Sequence, residues 1–389
     1  MRPLFSIEKV PFSAAVLGLV AILSTGFVTF RPNRIAIGDA VHLVRTRGEL
    51  WIVVVLFWIA LVILCSLRFN RRRRILLAGL LSSILLILLM ITAGKHAAII
   101  TEEYGTIARV SLGPAFWIGA FTLIIILTDT WQSCGKGKSP VVLLVLATAA
   151  AAAFLLISGR FDMLSIMREF ANRRERFFSE LITHAALVVS SVGLSLALGI
   201  PLGLLAHRKK RFYNPTFFTL NTLQTTPSLA LFGILIPILA AATLKFPFLT
   251  EMGVSGIGTA PALIALTAYS LLPVVRNTYT GFSTVDPAAI EAGKGMGMTT
   301  SQLLFRVEIP IASAVILNGI RVSLVQAIGL TAVAALIGAG GMGVFIFQGL
   351  GQAANDLIML GAMPTILMAV FVDSFMGGII FMMRPKGLR

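Results

Sequence analysis

The chain has 389 residues, of which 57% are hydrophobic and 12% charged, with a formal net charge of +16. Soluble domains carry about 25% charged residues, so these proportions and a mean hydropathy of +0.93 exclude an ordinary soluble fold. The cations cluster beside apolar runs, as in Arg71-Arg72-Arg73-Arg74 and His207-Arg208-Lys209-Lys210-Arg211. That placement suits anchors facing anionic lipid and argues against a nucleic-acid surface.

A helix crossing about 30 Å of hydrocarbon needs roughly 20 apolar residues. Segments 10–30, 50–67, 75–94, 110–128 and 140–158 meet that requirement in the first part of the chain, and the first reads as a retained helix. A charged connector, 159–183, follows, with Phe170, Phe177 and Phe178 among its charges; it reads as an amphipathic helix or a linker. Five further spans are expected at 184–206, 217–243, 259–276, 313–337 and 359–382, and Pro227 and Pro237 predict a kink or break in 217–243. The expected fold is an all-α integral membrane protein of about ten transmembrane helices, with an N-terminal five-helix extension (1–158) and a C-terminal five-helix core (184–389).

Lys and Arg bias places Arg68, Arg71 to Arg74, Lys136, Lys138, Arg208 to Arg211, Arg384, Lys386 and Arg389 on one side, predicted cytoplasmic together with both termini. The loop between the first two expected spans goes against this scheme with Arg31, Arg34, Arg45 and Arg47.

Chemistry-bearing patterns are few. Cys65 and Cys134 lack metal-ligand spacing, His184 and His207 stand isolated, and HExxH, GxSxG and GxxxxGK[ST] do not occur. No catalytic or metal-binding residue is therefore expected. The turn Gly338-Ala339-Gly340-Gly341-Met342-Gly343 lacks a phosphate-loop lysine and follows a membrane helix; it reads as an outer-face turn or a flexible helix end. Gln224 and Tyr269 are candidate pathway groups, or else an interhelical hydrogen bond and an interfacial tyrosine. Arg276 reads as a snorkelling cation. Arg321 and Asp373 lie at membrane depth, where a lone charge is costly, so each should face protein or water; a pair between them depends on register.

The most telling segment is 286–310, DPAAIEAGKGMGMTTSQLLFRVEIP. Asp286 can cap a short helix begun by Pro287, continuing through Ala288, Glu291 and Ala292. Gly293, Gly295 and Gly297 permit a turn, Thr299 or Thr300 can cap the next helix, and Pro310 marks entry to the membrane. A short helix bearing small residues can lodge in a groove of a soluble partner, although an ordinary amphipathic loop would look similar.

Glu291-Ala292-Gly293, then Gly297, then Val307-Glu308-Ile309-Pro310 resembles the coupling motif of bacterial ABC importer permeases, with glycine in place of the second alanine and Val and Ile in place of Ile and Leu. The stretches NTLQTTPSLALFGIL, ALTAYSLLPVVRNTYTGFSTVDPAAIEAGKGMG and AALIGAGGMGVFIFQGL are similar to the glycine betaine, choline and proline-betaine branch of that family. The resemblance covers about residues 184–383 and leaves the role of 1–158 open. It implies two cytoplasmic ATP-binding subunits, a second permease copy or paralogue, and a periplasmic or lipid-anchored solute-binding protein. ATP and magnesium would be bound by the partner ATPase, with no cofactor on this chain. The competing reading is a stand-alone secondary transporter or channel.

Overall fold

The computed structural model describes residues 9–33, 36–46, 48–67, 70–105, 107–134 and 139–383. Arg34, Arg47, Arg68, Lys136, Lys138, Arg384, Lys386 and Arg389, all used in the charge-bias argument, lie outside the described residues. The chain divides into two compact units, Met1–Asn172 and Arg173–Arg389.

The first unit contains α1 (Lys9–Ser24), β1 (Gly26–Arg31), β2 (Asp39–His42), α2 (Leu50–Ser66), α3 (Arg71–Tyr104), β3 (Arg109–Leu112), α4 (Pro114–Ser133), α5 (Ser139–Ile157) and α6 (Ser165–Asn172). Its core gathers Phe27, Trp58, Leu61, Leu85, Leu89, Leu123 and Ile126. Trp58 is fully buried and its indole Nε1 donates to Ala15 O at 2.9 Å, which satisfies its one polar atom.

The expected first span, 10–30, is corrected here. The helix stops at Ser24, where the Ser24 and Thr25 hydroxyls donate to Val20 O (2.6 Å) and Ala21 O (2.8 Å). The rest of the apolar run, Gly26–Arg31, is the middle strand of an antiparallel sheet ordered β2-β1-β3, with Thr29 opposite Ala40 and Ser111. A short apolar run does not by itself distinguish strand from helix. The expected span 110–128 likewise starts as β3 and becomes helical only at Pro114, which sits in the first turn of α4.

The second unit contains α7 (Arg174–Arg208), α8 (Tyr213–Thr225), α9 (Ser228–Lys245), α10 (Phe248–Glu251), α11 (Thr259–Ser283), α12 (Pro287–Gly295), α13 (Thr300–Leu303), a π turn (Leu304–Glu308), α14 (Ile309–Ala334), α15 (Gly343–Gly351) and α16 (Asn355–Met383). The connector is split between α6 and the start of α7, which begins at Arg174 and runs without interruption past the expected span start at 184. Expected span 217–243 is broken into α8 and α9 at Thr226-Pro227, as Pro227 predicts, whereas Pro237 lies inside α9 without ending it. Pro227 lacks an N–H and holds Thr226 extended, at ψ 129°.

Among the described residues eight helices are long and apolar enough to cross a membrane, and α1 and α2 are shorter apolar helices of 16 and 17 residues. Together they account for all ten expected spans. The all-α membrane architecture holds, with the small sheet of the first unit as an unforeseen addition.

Candidate functional site

The segment 286–310 folds as its residues dictate. Asp286 Oδ1 accepts from Ala288 N at 2.9 Å, capping α12, with Pro287 in the first turn. At the other end Met298 N donates to Gly293 O (3.1 Å) and Gly297 N to Lys294 O (2.9 Å). This paired closure requires a left-handed residue at 297, and Gly297 supplies it with φ +77°. Thr299 starts α13 with a capping box: Gln302 N donates to Thr299 Oγ1 and Thr299 N donates to Gln302 Oε1.

Two faces result. Ile290 packs with Phe282, Val285, Leu304, Ile309 and Ala312. Gly293 is buried so closely that an added Cβ would stand 2.7 Å from Leu303 Cδ1. Ala288, Glu291 and Ala292 face outward, and Glu291 has no hydrogen bond or ion pair among the described residues. The helix is thus fixed by one side and presents small residues and one bare carboxylate on the other.

From Thr300 to Ile337 the chain is continuously helical, through the π turn and Pro310. Pro310 cannot donate to the ladder and its ring crowds the preceding turn, so the widened turn just before it relieves that conflict. In that π turn Glu308 is almost fully buried, and its Oε2 accepts from Arg208 Nη2 at the end of α7. Its other oxygen, Oε1, has no hydrogen-bond partner among the described residues. Arg208, read from sequence as one of several lipid anchors, is therefore an ion-pair partner. Nothing in the spacing of two residues 100 positions apart signals this. The neighbouring His207 is not isolated either: its ring lies beside Tyr279 and Phe282, and Nδ1 is 3.2 Å from Ser283 Oγ.

The other candidate residues form three separate clusters. Gln224 Nε2 donates to Tyr269 O at 3.0 Å, while Tyr269 Oη donates to Thr226 O at 2.6 Å, one residue before Pro227. These two side chains close the break between α8 and α9, the interhelical hydrogen-bond alternative. Arg276 Nη2 likewise reaches Asn221 Oδ1 at 3.0 Å. Arg321 and Asp373 meet as a bidentate pair, Nε to Oδ1 and Nη2 to Oδ2, each 2.6 Å, with side chains 34% and 44% exposed.

The glycine turn is ordered by α7. Gly338, Gly340 and Gly341 have φ of +80°, +79° and +86°. Gly341 N donates to Glu180 Oε2 at 2.7 Å and Met342 N to His184 Nδ1 at 3.2 Å. With Nδ1 accepting, the ring proton sits on Nε2, which donates to Ile328 O at 3.1 Å. An added Cβ on Gly343 would lie 1.8 Å from Ala332 O, so only glycine fits there. His184, isolated in the sequence, is fully buried and joins two elements in the fold.

Residues 196–383 match the family of binding-protein-dependent transport system inner membrane components, and residues 8–167 match the N-terminal domain of ABC transporter permease YehY. The carnitine transport permease protein OpuCB of Listeria monocytogenes is 41% identical over 206 residues, 53% of this chain and 87% of that protein. This chain belongs to the binding-protein-dependent permease family. The permease is 40% identical to the osmoprotectant import permease protein OsmW of Salmonella typhimurium over 206 residues, 53% of this chain and 91% of that one. The glycine betaine/carnitine/choline transport system permease protein OpuCD of Bacillus subtilis is 41% identical over 200 residues, 51% and 80% of the two chains. The permease is thus an inner-membrane subunit of a binding-protein-dependent ABC importer, which implies an ATPase and a solute-binding partner. The stand-alone transporter reading gives way to this one.

Proposed function

We propose that the permease is the passive wall of an ATP-driven importer and that α12 is where force enters it. The outward face of α12 carries this reading: Ala288, Glu291 and Ala292 stand exposed on a helix locked by Asp286 at one end and Gly297 at the other. Small side chains admit a close-fitting groove, and Glu291 offers an unpaired carboxylate to a basic group there. Pro310 and the π turn before it lead this platform into α14.

Two cytoplasmic ATP-binding subunits dock on this segment, one for each permease of a pair formed by a second copy or a paralogue. ATP and magnesium are held by those subunits, and no chemical step occurs on this chain. A periplasmic or lipid-anchored solute-binding protein delivers the cargo to the opposite side, where the turn 338–343 stands. The end carrying Arg208 to Arg211 faces the cytoplasm, with both termini. The cargo is a small osmoprotectant of the betaine, choline or carnitine kind, which the names of the relatives support. The paired charges Arg321 and Asp373, with Gln224, Pro227 and Tyr269, belong to the moving walls of the pathway or its gate.

Uptake of labelled glycine betaine, choline and carnitine, in cells lacking only this chain and in the same cells with it restored, tests the cargo assignment. Loss and recovery for at least one of the three is expected. Unchanged uptake of all three would reject it.

A further inference from the structure

The importer reading says where force enters but not how it reaches the opposite side. The arm that continues from α12, residues 300–337, has a weak point near its start. The π turn Leu304–Glu308 and Pro310 interrupt the regular hydrogen-bond ladder, and a helix pushed there bends. The Arg208–Glu308 ion pair stands at this interruption.

Arg208 ends α7, which runs antiparallel to the arm and touches it again far from that pair. Val188 and Val192 of α7 pack with Ala327 and Ile328 of α14. His184 bridges Ile328 O and Met342 N, and Glu180 accepts from Gly341 N. A helix rises 1.5 Å per residue, so His184 and Arg208 are about 36 Å apart, and Glu308 and Ile328 about 30 Å. The two helices are therefore fastened to each other at both ends over a membrane's thickness. Pro201 lies within α7, but that stretch is braced: Gly199 and Gly203 sit directly against Val274, Val275 and Thr278 of α11.

We propose that α7 and α14 move as one rigid lever, pinned at Arg208–Glu308, which carries displacement of the coupling helix α12 to the glycine turn 338–343. Arg208 and Glu308 are positioning residues: they share load across the proline-weakened turn and hand it to α7. His184 and Glu180 deliver it at the far end, to a turn whose left-handed glycines leave N–H groups free to be held. A lipid-anchor role for Arg208, like that of Lys209, Lys210 and Arg211, leaves the buried Glu308 without a cation and does not account for the pairing. This inference rests on the reading of α12 as the docking helix.

The test uses the complete importer, permease with its ATPase and solute-binding partners, reconstituted in proteoliposomes. Solute carried per ATP hydrolysed is measured for wild type, R208Q, E308Q and the charge swap R208E/E308R. A pin predicts that either single substitution lowers the ratio by about tenfold and that the swap recovers most of it, the signature of a direct pairwise interaction. A purely structural pair would lower the amount of assembled importer and leave the ratio per complex unchanged. Wild-type ratios in both single variants, or a swap no better coupled than the singles, would overturn the proposal. If the wild-type complex itself shows no ATP-driven uptake, the importer reading fails, a result distinct from failure of the pin.

Discussion

Asp373 holds Arg321 through two parallel 2.6 Å hydrogen bonds, yet both side chains remain partly exposed on the second unit. Both lie in helices that cross the membrane, where a charge is tolerated only against protein or water. The pair therefore marks a face of α14 and α16 that does not look onto lipid. Removing one partner strands the other charge, whereas removing both leaves none to strand. We expect D373N to lower the thermal midpoint of the purified permease markedly, with the double variant R321M/D373L within about 1 kcal/mol of wild type. A double variant as unstable as the single one would show that the ions matter separately.

Glycines in the same bundle should respond in opposite directions. G343A forces a Cβ to within 1.8 Å of a backbone oxygen, which only a backbone shift relieves, and should abolish accumulation of folded permease. G329A, in α14 with nothing within 4 Å, should stabilise the helix by about 1 kcal/mol. The yield of folded protein measures the first, and thermal unfolding followed by circular dichroism or by aggregation in detergent measures the second.

The broken span depends on Tyr269. Its hydroxyl satisfies Thr226 O, a carbonyl left without a helical partner because the chain is extended at Thr226, between the end of α8 and the start of α9. Y269F should cost about 1 kcal/mol, the usual value of one such bond, and Q224A a similar amount through loss of the bond to Tyr269 O. If Y269F leaves the midpoint unchanged, the hydroxyl is not what closes the break.

On α12 stability and docking separate by face. D286A removes the cap and should cost about 1 kcal/mol locally. E291A removes an exposed carboxylate with no hydrogen bond or ion pair among the described residues and should leave the thermal midpoint unchanged while weakening co-purification of the ATPase. An E291A permease that binds its ATPase as tightly as wild type would remove Glu291 from the docking contact.

Much of this was legible in the sequence, for reasons that differ by residue. Each of the ten apolar segments contains a helix, because a membrane span needs length and hydropathy and both are visible in a window, although 10–30 and 110–128 also contain strand and 217–243 is broken. The cap Asp286, a cap at Thr299 or Thr300 and a turn among Gly293, Gly295 and Gly297 were legible because such signals act within four residues; the fold selects Thr299 and Gly297 and keeps Gly293 and Gly295 inside α12. The break at Pro227 announced itself through the missing N–H. What stayed hidden was either long-range or ambiguous in period. Arg208 looked like its cationic neighbours until the fold brought Glu308 to it, and His184 looked alone until Met342 and Ile328 closed on it. The strand Gly26–Arg31 reads as the tail of a helix unless its partners, Asp39–His42 and Arg109–Leu112, are known.

The most direct measurement is solute accumulation in proteoliposomes, made with the permease alone and with the permease plus its ATPase and solute-binding partners. The account predicts uphill uptake only in the complete system and only with ATP and magnesium. Uphill uptake by the permease alone, driven by an ion gradient, would contradict it.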